Sequence, residues 1–277
     1  MKKTDSFKQA FTMVEVVFVI IVLGIVASIA SELIAQVYES YIVERSQYRA
    51  SIKTELAAAQ IANRLRYAIP RTVYRIDPES GTIEHLESTM SRTGSDYNVL
   101  QWVGSDGDSF ETATTPAWSG FCDVNASSRT VISTPGSNLS LANTIEQNLG
   151  NTSGKFALYF PYDSSSVANY GSGTAATITL DANTSHIDEH YKLAWSSYAL
   201  VVDPTDGNLY LYYNFAPTIP SSASTAFYNQ RPRSLILENV TTFKFKSDGN
   251  TIRFKICQNE RLDIDINVTS CKEKAVF

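Results

Sequence analysis

The residues with the clearest chemical spacing are His186-Ile-Asp-Glu-His190, an H-x-x-E-H pattern. On a helix this spacing sets two imidazoles one turn apart with an acid between them, the arrangement of a hydrolytic zinc site that still needs a third ligand. The flanks are the polar Asn183-Thr-Ser185 and the strand-like Tyr191-Lys-Leu-Ala-Trp195, and they leave room for barely one helical turn. The two histidines are therefore expected to be surface residues rather than a metal pair, with no catalytic residue and no metal ligand assigned. Asp106-Gly-Asp108 and Asp203-Pro-Thr-Asp206 offer hard oxygen donors to calcium. Neither matches an EF-hand, and Asx turns are the commoner use of such segments, so the expected cofactor is none and calcium stays a minor alternative. Asn125, Asn183 and Asn267 each open an N-x-S/T triplet with Asp two residues earlier, although these residue types are simply abundant here. No G-x-S-x-G, P-loop or dinucleotide fingerprint is present.

The three cysteines are Cys122, Cys257 and Cys271. Cys257 and Cys271 are close in sequence and are the expected disulfide in an oxidising compartment; three inert thiols are the alternative. The net charge of -5 gives no basic footprint, so nucleic acid is not an expected partner. A mean hydropathy of -0.13 over 277 residues excludes a multi-span membrane protein.

Those averages conceal one apolar end. From Val16 to Ala30 there is no charge, and the run Phe11–Ala30 matches the thickness of a bilayer as a helix, about 30 Å. Lys2, Lys3 and Lys8 against Asp5 form a positive flank that stays cytoplasmic, which places the rest of the chain outside. Ser28-Ile-Ala30 before Ser31 also fits a signal-peptidase site. Neither a signal peptide nor a plain anchor accounts for Glu15 inside the run, where a carboxylate costs on the order of 3 kcal/mol.

The segment KQAFTMVEVVFVIIVLGI resembles the leader and N-terminal helix of type IV pilins and pseudopilins. The resemblance implies cleavage by a prepilin peptidase between Ala10 and Phe11, methylation of the new Phe11 amine, and a hallmark acid at Glu15, the fifth mature residue. That acid is expected to pair with the N-terminal amine of a neighbouring subunit. Ala10 stands where the family usually has Gly, and Glu32 where many major pilins have Pro. With the size of the chain, this points toward a large minor pseudopilin of the J type or a minor pilin. Some pseudopilins order a loop with calcium. The implied partners are the prepilin peptidase, other pilins or pseudopilins in a helical filament, and an inner-membrane assembly platform. The implied location is the inner membrane, single-pass with a periplasmic C-terminal domain, and then the pilus or pseudopilus. The alternative is a membrane-anchored periplasmic enzyme with a metal site at His186 and His190.

The elements that must carry these residues follow from periodicity. Leu33, Ile34, Val37, Tyr38, Tyr41, Tyr48, Ile52, Leu56, Ile61, Leu65 and Ile69 recur mostly at steps of three and four, and Pro70 ends the pattern, so one helix is expected from Phe11 to Ile69. Strands are expected at 71–76, 99–103 and 156–160, with hairpins at 198–213 and 242–256. The Ser/Thr/Asn/Gly-rich zones 119–154 and 164–177 read as surface loops. The resulting fold class is α+β, a long helix packed on an antiparallel sheet. Its divisions are a leader (1–10), a transmembrane or filament-core segment (11–31), an amphipathic continuation (32–69) and a β-rich periplasmic domain (70–277).

Overall fold

The structure, a computed structural model, describes residues 12–91, 96–111, 115–151, 153–163, 167–220, 232–261 and 267–277. It is α+β: one long N-terminal helix followed by antiparallel sheets. Helix α1 (Met13–Leu65, 53 residues) starts at Thr12, whose hydroxyl accepts the Glu15 N–H. It ends before the expected Ile69 because the backbone is needed elsewhere. Arg66 and Tyr67 turn, Ala68 bridges to Gly104, and the Ile69 N–H donates to the Val103 carbonyl at 2.9 Å, which draws the chain alongside the sheet.

The sheet-facing stripe of α1 also differs from the expected one. It consists of Ser46, Ala50, Thr54, Ala57, Ala58, Ile61 and Leu65, whereas Tyr48, Ile52 and Leu56 point outward. The seam is lined by small side chains from Ser46 to Ala58 and by the larger Ile61 and Leu65 only near the end of the helix, while Tyr48, Ile52 and Leu56 fall on the opposite face. Periodicity located the helix but could not choose between its two semi-apolar faces.

The central sheet has the order β11-β10-β9-β3-β1-β2, formed by β1 (Tyr74–Asp77), β2 (Thr82–His85), β3 (Val99–Gly104), β9 (Ser196–Val202), β10 (Leu209–Phe215) and β11 (Arg233–Leu237). A second sheet, β12 (Val240–Asp248), β13 (Thr251–Arg261) and β14 (Asn267–Val276), packs its β14 side under α1. In β12, Phe243 and Phe245 turn inward while Lys244 and Lys246 face out, as the alternation requires. They join Phe254, Ile256, Trp102, Ile61 and Leu65 in one core.

The polar zone between β3 and β9 is not a set of loops. It folds into a third sheet of order β4-β7-β6-β5-β8, built from β4 (Val131–Ser133), β5 (Phe156–Tyr159), β6 (Asn169–Thr174), β7 (Thr177–Leu180) and β8 (Lys192–Ala194). Helices α2 (Gly107–Phe110) and α3 (Leu139–Leu149) accompany it. This insert has its own core of Trp118, Cys122, Ile132, Leu139, Phe156, Ile178 and Leu193. Apolar residues are sparse in the segment, but nearly all of them point to the same interior, so composition understated its order.

Candidate functional site

The N-terminal part of α1 is the feature that the rest of the fold does not use. From Met13 to Arg45 the helix extends about 50 Å without burying a side chain, and Val14, Phe18, Ile20, Leu23, Ile25 and Ile34 are all exposed. It is long and apolar enough to cross a membrane once, and its most apolar stretch is wholly unburied within the chain. Glu15 lies in the first turn of this helix. Among the described residues its carboxylate has no hydrogen-bond or ion-pair partner. Ala10 and Phe11 lie outside the described residues. The helix passes unbroken through Ser28–Ser31.

The H-x-x-E-H segment is not helical. His186 Nε2 lies 2.6 Å from Asp188 Oδ1, while His190 forms an isolated bridge with Phe121 and meets its ring edge-on. The two imidazoles thus lack the helical turn that would align them, and among the described residues no group of three His, Cys, Asp or Glu side chains is placed to hold a metal. The carboxylates considered for calcium are engaged in turns. Asp203 accepts the Thr205 N–H and faces Arg233, and Asp206 accepts the Asn208 N–H and the Tyr210 hydroxyl. Asn125, Asn183 and Asn267 are exposed.

Cys257 and Cys271 sit directly opposite each other on β13 and β14 and form a disulfide. Cys122 is buried beside Ser127, and burial pushes its thiol pKa up.

One pair escaped the sequence reading. Asp106 and Glu146 are both almost fully buried, at 2% and 1% exposure, where α2 meets α3. Asp106 caps α2 by accepting the Ser109 N–H, and its carbonyl accepts the Trp118 indole N–H at 2.9 Å. Glu146 accepts from the Asn151 amide. Burial, and then the Asp106 charge, push the Glu146 pKa up to about 8. Burial raises Asp106 as well. Two ionised carboxylates can only accept, so a bond between them requires the pair to hold a proton, and burial of both favours that state. The signal was present in the sequence: Glu146 follows Leu139 and Ala142 at helical spacing, an acid on an otherwise apolar face.

The chain matches no family model, no curated protein and no solved structure.

Proposed function

We propose that this chain is a minor pilin or pseudopilin, a structural subunit processed by a prepilin peptidase and assembled into a filament through α1. The observation that carries the proposal is the division of one continuous helix. Its C-terminal part is packed on the sheets, and its N-terminal part from Met13 onward displays Val, Ile, Leu and Phe on every side. A helix apolar all round needs lipid or other helices as its surroundings. Lipid satisfies it before assembly and sister helices afterwards, and Glu15 supplies the charge that a neighbouring N-terminal amine pairs with. In this reading the sheets lie on the periplasmic side and make the lateral contacts, and the partners are other pilins or pseudopilins and the inner-membrane assembly platform. The function is assembly, with no cofactor.

The test is the mature N-terminus. Mass spectrometry of the protein recovered from membranes should find a chain that begins with N-methylated Phe11. A chain that begins at Ser31, or that keeps its first ten residues in cells with an active prepilin peptidase, overturns the proposal.

A further inference from the structure

At the C-terminal end of α1 the three sheets meet around a cleft of about 450 Å³. This lies within the roughly 300–1,000 Å³ typical of ligand sites. The floor is apolar, with Ile69 and Leu86 buried and Ile252 half-buried. The rim carries three cations from separate parts of the chain: Arg66 just past α1, Arg71 after Pro70, and Lys192 at the start of β8.

What distinguishes these cations is their common cleft rather than the lack of a carboxylate, since Arg129, Lys244, Lys246 and Lys255 likewise face none among the described residues. Arg75, Lys155, Arg233, Arg253, Lys272 and Lys274 each face a carboxylate. Among the described residues Arg66, Arg71 and Lys192 face none, in a chain whose net charge is -5. The one side-chain carboxylate on the rim is Glu87, 3.9 Å from His85 Nδ1. Surplus positive charge therefore borders an apolar floor. Arg71 is also held at φ +63°, a left-handed conformation that costs a residue with a β-carbon about 1 kcal/mol. Such strain tends to persist where a side chain must be presented in one place.

We propose that this cleft binds a small amphipathic carboxylate, its apolar body against Ile69, Leu86 and Ile252 and its carboxylate among Arg66, Arg71 and Lys192. Arginine forks suit a planar carboxylate, and the floor excludes a fully hydrated anion. The site is independent of whether α1 assembles into a filament.

The experiment uses the full chain in detergent and para-fluorophenylacetate observed by fluorine NMR. Saturable binding is expected, weakened about tenfold by Arg66→Gln, Arg71→Gln or Lys192→Gln and unchanged by Arg129→Gln, an exposed cation of the insert. The neutral amide of the probe should bind at least tenfold more weakly, and acetate at equal concentration should not displace it. Equal binding of the amide identifies a merely greasy cleft, and displacement by acetate identifies a simple counter-ion cluster. Either result, no saturable binding, or equal weakening by Arg129→Gln overturns the proposal. The three rim residues are exposed, so loss of fold is not expected and circular dichroism checks it.

Discussion

Replacing Glu146 with Gln should change how stability depends on pH. Glu146 ionises near 8 in the folded chain against an ordinary value of 4.5. Between those limits the folded chain holds a proton that the unfolded chain has released. The stability linked to this group is therefore complete below about 4.5 and is lost as pH rises through 8. At about 1.4 kcal/mol per pH interval the ceiling is roughly 5 kcal/mol. Relaxation and water entry reduce such penalties for buried charges, so we expect about 2–3 kcal/mol between pH 5 and 8.5. The raised Asp106 acts in the same direction, and the pair titrates jointly. The substituted amide keeps the shape and a donor for Asp106 but has no proton to lose. The assay is urea unfolding of the full chain followed by tryptophan fluorescence, for which Trp118 reports directly because its indole bonds the Asp106 carbonyl. Wild type should lose stability across this range, while Glu146→Gln should be flatter and should become the more stable protein at pH 8.5. Parallel curves for the two proteins would refute the argument.

Three further outcomes test other parts of the structure. Glu15→Ala should leave processing before Phe11 intact but sharply lower recovery in filaments; unchanged recovery, read by immunoblot of sheared filaments, removes the charge-pair role. Ala57→Leu enters the buried helix seam and should cost about 1–3 kcal/mol, whereas Leu56→Ser on the outer face should change stability by less than about 0.5 kcal/mol; similar urea midpoint shifts would contradict the seam as described. Replacing both Cys257 and Cys271 with Ser should lower stability by about 2–3 kcal/mol, since their bridge closes a loop of sequence separation 14. Wild type treated with reductant should match the double variant, and a stability equal to that of oxidised wild type would show that the bridge contributes nothing.

Local signals in the sequence were enough for the long helix, for the β9–β10 and β12–β13 hairpins and for the α+β class. Each rests on a period or a turn that neighbouring residues define by themselves, such as Phe243 and Phe245 alternating with Lys244 and Lys246. The apolar run with its one acid, Glu15, is likewise a property of consecutive residues. Three features belong to the tertiary structure. Ala50, Ala57 and Ala58 joined Ile61 and Leu65 in the helix seam because the fold turned that face of α1 against the sheets, and no local rule ranks it above the face bearing Ile52 and Leu56. The polar insert became a folded sheet because distant apolar residues such as Trp118, Ile132 and Ile178 share one interior. Asp106 and Glu146 acquired their coupled protonation, and Arg66, Arg71 and Lys192 their common rim, through long-range packing. Sequence periodicity records which residues share a face of their own element, but burial and charge coupling depend on what the chain brings against that face.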